Sequence, residues 1–243
     1  MNFKLILLIL LCVGLASASN IVTLTYTGAG GNSNDGFYAY PYYVQVGSGT
    51  AVPMMCDDFA DEIQVGEQWL AFGNALTQAN AQNDFIFGND TTFGAGNTTQ
   101  ATTGVGAYDE AGYIFTGMTS GAIDQSEGNA AVWYLFSPVS AAGIQGDTTA
   151  RGILDQAYNF VSAHPSYDYS YITVYSPDPS DRNSPAYDPS SPQYDGHAYP
   201  QEFLAITGSS NPVPEPPPSL LLAVGGALIG LVGVVRRRRL SRA

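Results

Sequence analysis

A thiol stands directly ahead of two carboxylates in Met55-Cys56-Asp57-Asp58-Phe59, with Asp61 and Glu62 close behind, and Asp109-Glu110 forms a second acidic pair. Paired carboxylates are the equipment of glycoside hydrolysis, which needs two of them facing each other at roughly 5 Å or roughly 6.5–9.5 Å. Adjacency in sequence does not provide that opposition. Acidic side chains are mostly exposed, so both clusters read as acidic turns on a solvated surface. Cys56 alone reads as a small, readily buried side chain. Asp178, Asp181 and Asn183 are fragments of a calcium loop that lack its glycine and closing glutamate. His164 and His197 show no ligand spacing, and His164, just before Pro165, suits a helix end where it meets free carbonyls. No cofactor is expected, although a structural calcium ion stays open. Tyrosines cluster at 38, 40, 42 and 43 and alternate at 167, 169, 171 and 175. Such rows either fill a core or stack on sugar rings, because the ring is apolar and its tip polar.

A second stretch, Gly128-Asn129-Ala130-Ala131-Val132-Trp133-Tyr134-Leu135-Phe136, pairs with the first. Together they resemble the thioester domain of bacterial surface adhesins. In that family a cysteine ahead of an aspartate joins the glutamine of a Gln-x-Ala-aliphatic-Trp motif: the thiolate attacks the carboxamide, ammonia leaves, and the stored thioester later acylates a target amine or hydroxyl. The resemblance implies Cys56 and Asn129 as the pair, with Ala131, Val132 and Trp133 in register. Asn129 stands where the family has glutamine, so its carboxamide carbon lies one methylene nearer its own backbone. A misplacement of about 1 Å costs a nucleophilic step around a hundredfold. Without the resemblance, Val132, Trp133 and Phe136 are the apolar face of a helix.

These residues need elements to hold them. Ile21 to Thr27 alternates Val22, Leu24 and Tyr26 with threonines, the pattern of a half-buried strand. A glycine-rich loop, Gly28 to Gly36, leads to a second extended run from Phe37 to Val46, where Pro41 favours a sheet edge. Val52 to Phe59 and Ile63 to Trp69 read as two short strands around an acidic turn, and Asn80 to Thr103 as a surface excursion. The period then becomes helical. Tyr108, Ala111, Gly112 and Phe115 mark one helix, and Ala130 to Phe136 a second, ended by Ser137-Pro138. A third begins at the Asp147 and Thr148 caps, carries Ile153, Leu154, Ala157, Tyr158 and Val161, and stops at His164-Pro165. Tyr171 to Tyr175 and Phe203 to Thr207 return as strands around a Pro/Asp/Ser/Tyr-rich loop. The expectation is an α+β fold, a β-rich exported domain with a helical lobe inserted in its middle, followed by a C-terminal single transmembrane helix.

The two ends carry the topology. Residues 1–18 form a signal peptide: Lys4, an apolar run from Leu5 to Leu15, and Ala16-Ser17-Ala18 as the cleavage site. Cys12 lies inside that apolar run and is lost with it, so Cys56 has no partner for an internal disulfide. After the domain at 19–207 comes a proline-rich linker at 208–219 containing Val213, Pro214, Glu215 and Pro216. An uncharged span at 220–235 follows, and then a basic tail at 236–243 opening with Arg236, Arg237, Arg238 and Arg239. The span is slightly shorter than the roughly 20 residues a bilayer core takes, and arginines are retained on the cytoplasmic side. Motif, span and arginines in this order resemble the PEP-CTERM sorting signal of Gram-negative bacteria that make extracellular polysaccharide. The resemblance implies recognition by an exosortase, and the leader implies a signal peptidase.

Charge agrees with export of an acidic body. The whole chain carries −13, yet between Ser19 and Pro212 two arginines stand against twenty carboxylates, a net charge of −18. Such a surface repels phosphate backbones and excludes nucleic acid as a partner. The sequence therefore reads as a non-enzymatic surface or matrix protein with a structural or adhesive role. It is anchored at the inner membrane before processing and ends in the cell envelope or extracellular matrix. The second reading is a carbohydrate-binding module acting on extracellular polysaccharide, and a less favoured one is a polysaccharide hydrolase.

Overall fold

The computed structural model describes residues 21–34, 36–59, 63–88, 104–136, 147–181 and 200–208. The leader, the sorting motif Val213 to Pro216, the 220–235 span and Arg236 to Arg239 lie outside these residues, as do Asp61, Glu62, Asn183 and His197. No helix among the described residues is long and apolar enough to cross a membrane.

The strands are β1 (Ile21–Ala29), β2 (Ser33–Asn34), β3 (Phe37–Tyr38), β4 (Tyr42–Val46), β5 (Ala51–Cys56), β6 (Gln68–Ala75), β7 (Ile172–Pro177) and β8 (Phe203–Ile206). Six of them close into a barrel in the order β1-β4-β5-β8-β7-β6, every described neighbouring pair antiparallel. β2 and β3 form a separate small hairpin. Four helices, α1 (Gln78–Asp84), α2 (Gly104–Ser120), α3 (Gln125–Phe136) and α4 (Thr148–Ala163), all fall between β6 and β7. The α+β expectation of a helical lobe set into a β-structure thus holds.

Local chemistry explains the elements. In β1 the alternation places Leu24 and Tyr26 in the barrel and leaves the threonines outward. Asp147 caps α4, its carboxylate accepting from the Thr149 and Ala150 N–H groups at 2.8 and 3.1 Å. At the other end the His164 ring lies 2.9 Å from the Phe160 carbonyl, as its place before Pro165 suggested. Asp124 caps α3 through the Ser126 and Glu127 N–H groups, and the Ser126 hydroxyl, followed by these N–H groups, lowers its pKa.

Four local expectations are corrected. Pro41 does not mark a sheet edge: it precedes β4, which is paired on both sides, by β1 and β5. The second strand of the acidic-turn pair starts at Gln68 rather than Ile63, because Gly66, at φ +96°, makes the turn that begins it. Part of the surface excursion is helix α1, capped by Thr77, and Ala81, Phe85 and Phe87 around it are buried. Asp57 and Asp58 are not a solvated turn, since both are fully buried.

The lobe meets the barrel through close backbone approach. At Gly112 on α2, a Cβ would lie 2.9 Å from the Tyr169 ring and 3.1 Å from Leu76, both buried. Overpacking of this kind costs about 1–3 kcal/mol. Gly112→Val is therefore expected to lower the melting temperature by roughly 2–12 °C, at about 2–4 °C per kcal/mol for a domain of this size. Thermal unfolding followed by circular dichroism checks it.

Candidate functional site

Three adjacent strands bring their ends together under the lobe. Cys56 on β5 is in register with Phe203 on β8, and Phe203 with Tyr175 on β7. The next residue along each strand direction is Asp57, Glu202 and Ser176, so these form one row at a single end of the barrel. All three are buried. Helix α3 crosses near the same end and delivers Asn129.

The structure places Cys56 and Asn129 side by side. The Asn129 Nδ2 donates to the Cys56 carbonyl at 2.8 Å, and its Oδ1 accepts from the Tyr40 N–H at 2.7 Å. Both ends of the carboxamide are thus held by backbone from two different strand regions. The Cys56 thiol donates to the Asp58 carbonyl at 2.9 Å, and the Trp133 indole lies beside the sulfur. Burial pushes the Cys56 pKa well up, and the carboxyls of Asp58 and Asp57 push it further, outweighing the backbone contact and Trp133, which lower it.

This arrangement is half of what acyl chemistry requires. The Tyr40 N–H sits where a donor would stabilise negative charge growing on the carboxamide oxygen. The nucleophile, however, is held as a buried thiol, and the thiolate is the reactive form. In this state the pair acts as a clamp that ties α3 to β5 and to the segment before β4. Above it, Phe59 packs on Trp133 with ring centroids 5.0 Å apart, and Phe37 of the β3 hairpin packs on Phe59 at 4.7 Å. Asn32 fastens that hairpin, donating to the Tyr40 carbonyl at 2.8 Å and to Gln125 of α3 at 2.9 Å.

The acidic row is the feature that sequence reasoning missed. Glu202 accepts from the Tyr108 and Ser176 hydroxyls and, at 3.2 Å, from the Ile86 N–H. Tyr108 in turn accepts from the Phe87 N–H at 3.3 Å. Asp57 faces the Glu202 carboxyl. Glu202 follows a proline-rich stretch and opens an apolar strand, and nothing local marks it; only the β5–β8 register sets it against Asp57.

The other candidates fall elsewhere. Asp109 and Glu110 sit on α2, where burial raises Asp109 to about 6 and raises Glu110, with Asp109 beside it, to about 8. Asp178 accepts from the Ser180 N–H and hydroxyl, and Asp181 from the Leu70 N–H at 2.9 Å, so both carboxylates hold a turn. Among the described residues no group of three or more potential ligands is arranged for a metal ion. The tyrosines divide: Tyr40, Tyr42, Tyr169 and Tyr175 are buried, whereas Tyr38, Tyr43 and Tyr167 are exposed.

Comparison with protein-family models, curated proteins and solved structures returned no match.

The clamp has measurable consequences. Asn129→Ala would strand the buried Cys56 carbonyl and Tyr40 N–H, at about 1–3 kcal/mol each. Chemical denaturation should register a loss of roughly 2–6 kcal/mol. Intact-mass analysis of the native protein is expected to show no loss of ammonia, with Cys56 alkylated only as the protein unfolds. A blocked thiol accompanied by ammonia loss would show instead that the Cys56–Asn129 bond forms.

Proposed function

We propose that this chain is an exported bacterial surface or matrix protein with a structural or adhesive role, delivered through an exosortase-type pathway. Signal peptidase removes the leader, the 220–235 span holds the chain at the inner membrane, and the exosortase reads Val213 to Pro216. The observation that carries this reading is the order of proline-rich motif, uncharged span and Arg236 to Arg239 behind an acidic body of net charge −18. The body's geometry supports a structural rather than an enzymatic role. Its thiol is buried and held by Asp58, and both ends of the Asn129 carboxamide are taken by backbone. Cys56 and Asn129, the pair the thioester-like resemblance implies, serve cohesion here.

Fractionation tests the sorting half of this proposal. Removal of residues 213–243 should shift the protein from the envelope or matrix to the soluble exported fraction. An unchanged destination would contradict the role given to the tail.

A second reading, carbohydrate binding, is favoured by a specific observation: Tyr38 is 64% and Tyr43 40% exposed. Tyr43 lies across from Gly28 on one side and Pro53 on the other, neither of which has a long side chain to cover the ring. The acidic surface selects neutral over anionic polysaccharide. A Tyr38→Ala, Tyr43→Ala double variant should weaken pull-down on the cell's own extracellular polysaccharide at least tenfold, about 1.4 kcal/mol, within the range of one or two lost stacking contacts. Unchanged retention would remove this reading.

A further inference from the structure

We propose that Asp57 and Glu202 share one proton and form a pH-gated latch between the end of the barrel and the helical lobe, closed while the proton is held and loosened when it leaves. The inference does not depend on export or sorting; it rests on what surrounds two buried carboxyls. Both residues are fully buried. Glu202 is supplied with three donors, from Tyr108 on α2, Ser176 on β7 and Ile86 just after α1. Apart from a contact with its own backbone N–H, neither oxygen of Asp57 has a donor among the described residues, and what faces it is the Glu202 carboxyl. Two carboxylates in contact inside a low-dielectric site cannot both be ionised, so a proton between them is the donor that Asp57 otherwise lacks.

The remaining neighbours reinforce this. On the barrel side Asp58 stands beside Asp57 and adds repulsion to a second negative charge, while the neighbouring Cys56 thiol is held neutral. From the lobe, the titratable group facing the pair is the Tyr108 phenol, whose own ionisation burial and Glu202 suppress. Among the described residues no lysine or arginine offsets them, since Arg151, the only one, is exposed on α4. Burial is the largest cause of the raised pKa at both Asp57 and Glu202, and for Asp57 the Glu202 charge is the next.

The sign of the pH dependence follows. A carboxyl whose pKa is higher folded than unfolded stabilises the fold fully below the ordinary carboxylate range of about 4, and loses that contribution as pH rises toward the folded value. The latch is therefore closed in acid and weakens as the medium becomes alkaline. Its position gives the loosening a structural reading. Asp57 continues β5, Glu202 precedes β8, and the Tyr108 and Ile86 contacts are two of the lobe's three polar holds on that end of the barrel, beside Asn129.

The experiment compares melting temperature against pH for the wild type, Asp57→Asn and Tyr108→Phe. One proton lost in folding linkage corresponds to a fall of roughly 3–5 °C per pH unit for a domain of this size. Asp109 and Glu110 add their own decline, so the difference between proteins is the readout. Asn at 57 replaces the shared proton by a permanent N–H donor, and the slope should flatten by about that one-proton amount. Tyr108→Phe removes a donor that favours the ionised pair, so the decline should run on to higher pH than in the wild type. In the wild type the near-ultraviolet dichroism of the buried aromatics should fade with rising pH before far-ultraviolet dichroism changes. Declines of the same slope and extent in all three proteins would overturn the proposal, as would a decline in Tyr108→Phe that ends at lower pH than in the wild type. Should Asp57→Asn fail to fold, the Tyr108→Phe decline alone decides between these outcomes.

Discussion

A barrel end covered by a helical lobe imposes one severe constraint: every polar group under the cover must find its partner inside the protein. Here the covered end includes the last residue of β5, the residue before β8 and the residue next to the β8 register on β7. Their backbone and side chains cannot reach water. The lobe answers with three groups. Asn129 on α3 takes a carbonyl from β5 and an N–H from Tyr40, Tyr108 on α2 donates to Glu202, and the backbone after α1 does the same through Ile86. Apolar packing surrounds this knot: Phe85 and Phe136 lie against Tyr108, and Phe59 lies against Trp133. The hydrophobic contacts supply most of the cohesion. The polar knot specifies which end of the barrel the lobe covers, and in which orientation.

The same constraint explains why the reactive-looking residues are quiet. A thiol beside two carboxyls, all withdrawn from water, stays protonated. An asparagine one methylene shorter than glutamine finds its hydrogen bonds with the backbone around the cysteine. Reactivity is held down, and the two side chains serve as a fastening between layers.

Much of the architecture was legible in the chain, for physical reasons that differ from element to element. β1, β7 and β8 announce themselves through alternation or β-branched runs. α4 does so through a cap, an apolar stripe and a His-Pro stop. The insertion of helices between strands follows from the change of period. Barrel closure was not legible, because register is a relation between distant segments and each strand looks the same at an edge or in a ring. Pro41 shows the cost, since its lack of an N–H suggested an edge although it sits one residue outside a doubly paired strand. α1 is seven residues long and mostly polar, with one buried alanine, so no periodicity betrays it. Asp57 and Asp58 were read by residue type as exposed, and type is a poor guide where a partner carboxyl arrives from 145 positions away. Cys56 and Asn129 were found as a pair only through the resemblance, since spacing alone does not join them.

The central claim is that barrel and lobe form one cooperative body fastened by buried polar groups at a single barrel end. Native-state hydrogen exchange resolved at the Tyr40 and Ile86 amides tests it most directly, because these two N–H groups are the ones donated to Asn129 and Glu202. Both are expected to exchange at near-neutral pH only through global unfolding, with the same free energy as the slowest amides of β1 and β4. Exchange of either amide through a low-energy local opening, while the barrel strands remain protected, would contradict the account.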